Sequence, residues 1–500
     1  MTEPGYAHAA GPMTLGCDVV VVGSGAGGSA AAKNLAQAGH DVIVLEMGAR
    51  ERPSSFTQRE EDMLPRLFQD AAARTTADGA IHVLQGKGVG GSTLHNINLC
   101  KRVPDSLLDR WAQVQGLPEL PTTLAAAYDQ VEADLSVSQV PEENVNRNNA
   151  LFRQGARALG WRNGPLLHNR VGCLGSGFCE LGCAYDAKQN AAKIYLPQAV
   201  QAGARVLSGV RVHRITHRFG RARGVQGRTV GGHRIRVHAR AVVVAASATG
   251  SPALILASGL GDRHHQVGAG LHLHPGGVVG GVFDQPVRGW EGIPQSWECT
   301  EFLSPTDPDR RIWLVPNFGH PVITASQLPG FGGEHAGWMR AYPRMAALSP
   351  MLHDHTAGRV AATRSGHPVL RYSLDRGDRR ALAAGFAAGA RLLLAAGALK
   401  AVIPTARPVV VTSLAGTETL ADELSMRRKD PPLSAVHPMG GLRLGAAPRS
   451  SAVDAQGRLH GARGVWVADG SLMPSSTGVP PQLTIYALGL VVGSRCAEAL

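Results

Sequence analysis

The 500-residue chain contains no long hydrophobic run. No stretch approaches the roughly 18 consecutive apolar residues of a membrane-spanning helix. The first residues, MTEPGYAHAAGPMTLG, lack the charged and apolar regions of a secretory signal. We therefore expect no transmembrane segment and a cytoplasmic location.

Aromatic residues and long blocks of one charge are also scarce. Aromatic residues make up 5% of the chain, which argues against a large apolar substrate pocket and favours a polar substrate. Lysine and arginine outnumber acidic residues by 50 to 38, but they are spread along the chain without a block long enough for a nucleic-acid-binding arm. We therefore predict no nucleic-acid partner.

The chain has only seven cysteines, and an odd number argues against a disulfide framework. Cys173, Cys179 and Cys183 lie among glycines in the cysteine-rich loop 171–183. Three thiolates at this spacing can ligate an iron–sulfur cluster. The alternatives are a structural thiol cluster, a disulfide, or a zinc site with an outside fourth ligand, for which His168 is a candidate.

The most informative stretch, residues 18–48, reads DVVVVGSGAGGSAAAKNLAQAGHDVIVLEMG. Gly23, Gly25 and Gly28 fit the pattern G-x-G-x-x-G directly after four valines. In that pattern the glycines make a tight turn, let the backbone approach a pyrophosphate, and let the helix pack close to the strand. Glu46 ends the second strand, where a carboxylate can accept hydrogen bonds from a ribose. The stretch predicts a dinucleotide site, and the alternative is an ordinary βαβ unit.

The patterns along the chain predict an α/β protein with a discontinuous first domain. A Rossmann-like domain with a doubly wound parallel sheet is expected over 14–277. Short alternating runs with aromatics and prolines favour an α+β domain with an antiparallel sheet over 278–432. Residues 433–500 return to βα character and close the first domain. The stretch YDAKQNAAKIYLPQAVQAG, residues 185–203, predicts a helix.

Four separated motifs give the chain a resemblance to the glucose–methanol–choline (GMC) family of flavin-dependent alcohol oxidoreductases. Besides the glycine fingerprint they are GKGVGGST at 86–93, SATGSPALILASGLG at 247–261, and the C-terminal pair HPMGG at 437–441 and DGSLMP at 469–474. The C-terminal segment resembles most the cholesterol-oxidase-like branch and bacterial sugar and polyol dehydrogenases.

The resemblance implies FAD bound in an extended pose along both glycine turns. It places the fingerprint and Glu46 at the ADP half, Val212 at the adenine, and Asp469 near the ribityl chain. The residues that would hold the cofactor are Gly23, Gly25, Gly28, Glu46, Gly90, Gly91, Ser92, His95, Asn96, Val212, Asp469, Gly470 and Pro481. His95 aligns with a histidine that is bonded covalently to the flavin in some relatives, so a covalent link at His95 is an expectation.

The resemblance also implies that His437 is the catalytic base, which takes the hydroxyl proton while hydride passes to flavin N5. Relatives carry Asn or His as a second catalytic residue where this chain has Pro480, in the stretch GVPPQLTI. Because a proline side chain neither donates nor accepts a hydrogen bond, Gln482 or another pocket residue replaces it, or His437 acts alone.

Three further polar residues are either pocket groups or structural. His274 precedes Pro275 after an apolar strand, and His355 and Arg359 lie in the stretch LHDHTAGRV. The pattern alone favours a structural role for each of them.

The reaction implied is oxidation of a CH–OH group to an aldehyde or ketone. The expected substrate is sugar-like, aminosugar-like or another small polyol or natural-product alcohol, and the alternative is a sterol or other hydrophobic alcohol. The electron acceptor would be oxygen, a quinone-like molecule or a protein. A flavo-iron–sulfur subunit that transfers electrons through a 3Fe–4S cluster, and a non-catalytic flavoprotein, are the other hypotheses.

Overall fold

The computed structural model describes residues 3–261, 263–304, 307 and 309–500. Its strands fall into two large sheets and three small ones. Its α-helices span Ala26–Gln37, Glu60–Leu67, Asp105–Gln115, Leu120–Asp134, Arg147–Ala158, Tyr195–Gln201, Ser247–Ala257, Pro321–Gln327, Gly333–Ala341, Arg376–Ala395, Leu420–Glu423 and Gln482–Glu498. No helix in these ranges is long and apolar enough to cross a membrane.

The first large sheet is the predicted parallel sheet, with an antiparallel meander at one edge. Its strands lie in the order Tyr6–His8, Arg205–Ser208, Val42–Leu45, Met13–Val22, Arg234–Val244, Arg221–Thr229 and Val210–Arg218. Each of the last three strands runs antiparallel to its neighbour in this group. The C-terminal strand Val465–Val467 pairs in parallel with residues 242–244, at the end of Arg234–Val244. The C-terminal segment therefore contributes a strand to the sheet that carries the glycine fingerprint.

The sheet's central strand and its glycine turn explain why the fingerprint folds as it does. The four valines before Gly23 are at most 5% exposed, as expected for a parallel strand covered on both faces. Gly23 has φ +103°, and a Cβ there would lie 2.2 Å from the carbonyl oxygen of Ala245. A Cβ on Gly28 would lie 2.1 Å from the oxygen of Gly23. Both positions therefore require glycine.

The second large sheet is antiparallel throughout, which confirms the α+β prediction for the middle of the chain. Its strands lie in the order Val409–Val411, Lys400–Ile403, Val279–Val282, Met345–Leu352, Ile312–Pro316, Trp297–Cys299 and Asn163–Pro165. Helices Arg147–Ala158 and Arg376–Ala395 share its apolar core. Thus one strand and one helix from the first predicted segment belong to this layer.

Three small sheets join the two layers. One contains Ala269–Leu271, Gly358–Ala362 and Pro368–Arg371, and the two-stranded sheets pair Leu433–Ala435 with Ile81–Val83 and Val137–Gln139 with Leu167–Asn169. The pairing of Leu433–Ala435 brings the C-terminal histidine motif next to the N-terminal half of the chain.

The predicted helix over 185–203 is wrong for its first ten residues. Only Tyr195–Gln201 is helical. Asp186 has φ +52°, and the side chains of Lys188 and Gln189 donate to backbone carbonyls within a buried turn. These side-chain hydrogen bonds take the place of the repeating backbone hydrogen bonds of a helix. The partner of Lys188 is Leu94, far away in the sequence, so local periodicity does not reveal it.

Candidate active site

One cavity of about 740 Å³ connects the two glycine turns with the C-terminal histidine motif. The sequence-predicted residues that line it are Gly23, Gly25, Glu46, Gly91, Ser92, His95, Asn96, Val212, His437, Asp469, Gly470, Pro481 and Gln482. Gly28, in the first turn of helix Ala26–Gln37, and Gly90, in the second glycine turn, are not among the lining residues. The fold thus gathers residues from five separated segments around one space.

The start of helix Ala26–Gln37 opens into this cavity. It has no side-chain cap and no acidic residue in its first turn, so its first N–H groups present partial positive charge. Apart from its chain neighbours, the described residues bring one heavy atom within 4 Å of a Cβ built on Gly25, the Cα of Gly91 at 3.9 Å. This cradle fits the pyrophosphate of a dinucleotide.

Glu46 ties the two glycine turns together. Its Oε2 accepts hydrogen bonds from the nitrogen and hydroxyl of Ser24 at 3.1 and 2.7 Å. Its Oε1 accepts from the nitrogens of Gly48 and Gly88 at 2.9 and 3.2 Å. Burial raises the pKa of Glu46, although these bonds oppose the rise. The carboxylate lines the cavity, where a ribose can meet it, but it also organises the walls.

Asp469 performs a similar task at the C-terminal wall. Its Oδ2 accepts hydrogen bonds from the nitrogen of Ser247 at 2.9 Å and the hydroxyl of Ser251 at 2.5 Å. Its Oδ1 accepts from the nitrogen of Ser471 at 2.8 Å. Burial raises the pKa of Asp469. The carboxylate therefore joins the start of helix Ser247–Ala257 to the DGSLMP motif.

The histidine of the C-terminal motif stands opposite a second histidine. His272 and Met439 exchange two backbone hydrogen bonds, of 2.9 and 2.8 Å, as an antiparallel pair. In that register His274 lies opposite His437, and their Nδ1 atoms are 3.0 Å apart. Burial, together with His274, lowers the pKa of His437 well below its ordinary value. His437 is therefore neutral at pH 7.

Asp354 fixes the segment that carries His274. Its carboxylate accepts hydrogen bonds from the nitrogens of Leu273 and His274, both at 3.0 Å, and from the hydroxyl of Tyr372 at 2.7 Å. Burial alone would raise the pKa of Asp354, but these bonds and the nearby His272 hold it well below its ordinary value. Sequence reasoning passed over Asp354 because nothing local marks it as the partner of residues 80 positions away.

His95 is buried in the cavity wall with an unpartnered nitrogen. Its Nε2 has no hydrogen-bond partner among the described residues, and its ring lies 4.0 Å from that of Phe68. Burial and the nearby cation of Lys188 lower the pKa of His95 to about 3. A neutral, unpartnered imidazole in this wall fits contact with a bound cofactor.

Gln482 lines the cavity, but its amide is held by the protein. Its Oε1 accepts from the Nδ2 of Asn96 at 2.7 Å, and its Nε2 donates to the carbonyl of Leu99 at 2.6 Å. These contacts fix the start of helix Gln482–Glu498. Pro480 also lines the cavity and contributes no polar side chain. The predicted catalytic role of Gln482 stays a prediction, and its contacts favour positioning.

The three loop cysteines are free thiols, and two of them contact a cation. The Nη1 of Arg170 lies 3.7 Å from the Sγ of Cys173 and 3.6 Å from that of Cys179. The Sγ of Cys183 instead accepts from the nitrogen of Ala187. In the part of the chain that the structure describes, no three His, Cys, Asp or Glu side chains are placed to hold a metal ion.

His168, the candidate fourth ligand, is also engaged elsewhere. Its Nδ1 accepts a hydrogen bond of 2.7 Å from the Nε of Arg170. Lys188, which the sequence pattern assigned to a helix, is buried beside this loop, and its ammonium donates to the carbonyls of Leu94, Asn96 and Cys179. Burial lowers the pKa of Lys188 to about 8.

The rest of the cavity wall is mixed in character. It includes the polar residues Gln295, Asn317 and Ser349, and also Trp313, whose ring lies 6.5 Å from that of His274. Elsewhere it is apolar, with Val322, Ile323, Leu328, Met345 and Val402. His355 and Arg359 are not among its lining residues, and Arg359 donates to the carbonyls of Val267 and His265.

Comparisons with known proteins agree with this geometry. Two family models described as GMC oxidoreductase match residues 64–276 and 354–489, and one described as FAD binding domain matches residues 18–57. An uncharacterized GMC-type oxidoreductase of Mycobacterium tuberculosis is 39% identical over 493 residues, which cover 97% of this chain and 76% of that protein.

Two relatives with named activities are more distant. A long-chain-alcohol oxidase of Arabidopsis thaliana is 29% identical and is matched over 97% of this chain and 68% of its own length. The paromamine 6'-oxidase of Streptomyces fradiae is 29% identical, with coverage of 97% and 91%.

A solved structure, pyridoxine 4-oxidase from Mesorbium loti, superposes with a TM-score of 0.69 and 19% identity over 95% of this chain and 98% of that one. Its similarity confirms the fold. With the two family models spanning most of the sequence, the chain belongs to the GMC oxidoreductase family and is an FAD-binding alcohol oxidoreductase.

Proposed function

We propose that this protein oxidises the CH–OH group of a small-molecule alcohol with His437 as the base. The observation that carries the proposal is the position of His437, on the wall of the same cavity as both glycine turns, with its Nδ1 paired to His274. A neutral imidazole with one nitrogen held and the other free can accept a hydroxyl proton near pH 7.

Bound FAD supplies the hydride acceptor. The protein residues handle the proton and the orientation of the substrate. His437 takes the hydroxyl proton at Nε2, and the hydrogen bond from its Nδ1 to His274 fixes the tautomer and the orientation of the ring. Relatives carry a second catalytic residue beside the substrate where this chain has Pro480, whose side chain offers no hydrogen bond. In this chain His274, on the other side of the His437 ring, takes over the support of the base.

For the substrate we propose a sugar-like, aminosugar-like or other polyol alcohol. Gln295, Asn317 and Ser349 bring hydrogen-bonding groups to the cavity wall, and a relative is named paromamine 6'-oxidase. The apolar part of the wall favours a second candidate, an alcohol with a long hydrocarbon chain or a sterol, and other relatives are named long-chain-alcohol oxidases.

The test is anaerobic reduction of the bound flavin by a panel of paromamine, glucose, pyridoxine and 1-dodecanol. We expect at least one of them to bleach the flavin, and the His437→Ala variant to bleach about 100- to 10,000-fold more slowly with the same compound. A His437→Ala variant that keeps its flavin and bleaches at the wild-type rate would contradict the proposal.

The state of the cofactor and the acceptor belong to the same proposal. The covalent link to His95 is supported by its unpartnered, neutral Nε2. Acid precipitation should then leave the yellow colour in the pellet, and a yellow supernatant would exclude the link.

The electron acceptor is oxygen, a quinone-like molecule or a protein, and oxygen consumption distinguishes the first from the others. A cytoplasmic location is likewise proposed.

A flavo-iron–sulfur subunit that transfers electrons is the alternative proposal. Its cluster would need the thiols of Cys173, Cys179 and Cys183, which lie close in sequence but contact Arg170 and backbone nitrogens instead. Iron and acid-labile sulfide in the purified protein would establish this alternative.

A further inference from the structure

The antiparallel meander at the edge of the first sheet carries an unusual charge. Residues 210–244 contain nine arginines and four histidines but no aspartate or glutamate. Along the sequence these arginines are separated by other residues, so they look scattered. The strands Val210–Arg218, Arg221–Thr229 and Arg234–Val244 bring four of them together on one surface.

The strand register places four exposed arginines, which we call the arginine face, side by side. Gln226 pairs with Arg214 on one neighbouring strand and with Arg236 on the other, and Arg228 pairs with Arg234. Directly paired residues project from the same side of a sheet, and adjacent strands lie about 5 Å apart. All four arginines are exposed, so their charges share one solvent-facing surface.

The opposite side of the meander packs into the core. Val225, Ile235 and Val237 are each 1% exposed. The sheet is therefore anchored on one side and free on the other. Since like charges placed across strands destabilise a sheet, this concentration of arginine is not explained by folding. Charges on an edge strand can prevent aggregation, but Arg228 lies on the middle strand.

The charges on this surface are not neutralised by the protein. Among the described residues, the only ion pair that involves an arginine of the meander joins Arg240 to Asp18. The positive charges reach His213, whose pKa is lowered by burial and by Arg228, Arg211 and Arg214. A neighbouring surface cleft of about 430 Å³ is lined by Arg221 and Arg223. The surface is thus suited to binding several anionic groups at once.

The two hairpin tips of the meander add apolar groups at opposite ends. Phe219 is 94% exposed at one tip and Val230 is 93% exposed at the other. A nucleic-acid backbone offers nothing to such side chains, whereas the headgroup region of a bilayer accepts them next to basic residues. We propose that the arginine face docks on a membrane surface of anionic phospholipids, with the hairpin tips touching its interfacial region.

The experiment is co-sedimentation of the 500-residue holoprotein with vesicles of phosphatidylcholine, with and without phosphatidylglycerol. We expect binding only to the phosphatidylglycerol vesicles and its loss near 1 M salt, where the Debye length is about 3 Å. A triple variant, Arg214→Gln, Arg234→Gln and Arg236→Gln, should bind on the order of 100-fold more weakly, at about fivefold for each arginine.

The matched control removes the same charge from elsewhere, with Arg376→Gln, Arg380→Gln and Arg407→Gln, which are all exposed. It should bind like the wild type. No binding of the wild type to the anionic vesicles, or an equal loss in both triple variants, would overturn the proposal. Retained flavin absorbance and circular dichroism establish that the variants are folded.

A second variant separates lipid from nucleic acid. Phe219 has φ +50°, which asparagine tolerates, so Phe219→Asn removes the apolar tip without straining the turn. We expect it to weaken vesicle binding and to leave any binding to a DNA duplex unchanged. Unchanged vesicle binding, or tighter wild-type binding to the duplex than to the vesicles, would overturn the lipid assignment.

Discussion

His437 and His274 face each other with their Nδ1 atoms 3.0 Å apart, so one of these nitrogens carries a hydrogen and the other accepts it. For His437 to take a proton at Nε2, its own Nδ1 must be the donor. His274 then bears its hydrogen on Nε2, which has no partner among the described residues. The pair thus holds His437, the proposed base, in one orientation, but it leaves the Nε2 of His274 without a hydrogen-bond partner among the described residues.

We expect His274→Ala to slow substrate reduction of the flavin by on the order of 10- to 100-fold, because the hydrogen bond that fixes the tautomer and orientation of the His437 imidazole is lost. The acid limb of the rate should also move to higher pH, since His274 lowers the pKa of His437. Anaerobic stopped-flow reduction across a pH series measures both effects.

His355→Ala is the control for that prediction, because His355 is also a histidine with a lowered pKa but is exposed and does not line the cavity. It should leave the rate and its pH profile unchanged. If His274→Ala slowed the reaction without moving the acid limb, His274 would be only a packing residue.

Gln482 should behave as a structural group. Gln482→Leu leaves the Asn96 amide and the Leu99 carbonyl without a partner, and we expect it to lower the free energy of unfolding by about 1–3 kcal/mol. The rate of flavin reduction should fall by less than about tenfold, far less than for His437→Ala. A loss equal to that of His437→Ala, at unchanged stability, would instead make Gln482 the second catalytic group.

The parts of this molecule that could be predicted are those encoded locally. The glycine fingerprint, the valine strand before it and the strand Val465–Val467 all depend on periodicity or on backbone conformations open only to glycine. Family motifs predict a base at His437 in the same way. These signals need no knowledge of distant contacts.

The parts that could not be predicted depend on long-range pairing. The neighbour of His437 is set by the pairing of His272 with Met439, across 167 positions of sequence. The sequence around Lys188 looks helical, but the segment folds as a turn. The hydrogen bonds that stabilise this turn run to the distant residues Leu94 and Asn96, which local periodicity does not show. The arginine face is invisible in composition because strand register, and not sequence proximity, assembles it.

Buried neutral histidines should make the protein sensitive to acid. Burial lowers the pKa of His95 to about 3 and those of His274 and His353 to about 4. The unfolded chain, with a histidine pKa near 6.5, binds more protons below that pH, so the stability present above pH 6.5 is lost as the pH falls. We expect a loss of on the order of 1–2 kcal/mol for each histidine by pH 5.

Urea unfolding of the holoprotein at pH 7 and pH 5 measures this loss, and His353→Asn tests its origin. His353 does not line the cavity, so the variant should show a smaller loss between the two pH values while its activity is kept. An equal loss in the variant would assign the acid sensitivity to other groups.

Gly25 and Gly27 lie two positions apart, and substitutions at these glycines distinguish an effect on cofactor binding from an effect on folding. Gly25 has φ −68° and ψ −167°, which alanine adopts readily, and an added methyl group meets no protein atom closer than 3.9 Å. We expect Gly25→Ala to leave the stability of the FAD-free protein unchanged. Its methyl group projects towards the cradle at the helix start, so FAD affinity should fall by at least about tenfold, or 1.4 kcal/mol.

Substitution of Gly27 should affect folding and not only cofactor binding, because a side chain at this position would point into the protein. A Cβ there would lie 1.9 Å from the carbonyl oxygen of Ala468, and the backbone on both sides is fixed by strand and helix. Gly27→Ala should therefore destabilise the FAD-free protein itself, as seen by thermal unfolding. If Gly25→Ala bound FAD with wild-type affinity in a titration of the FAD-free protein, the helix start would not be the pyrophosphate site.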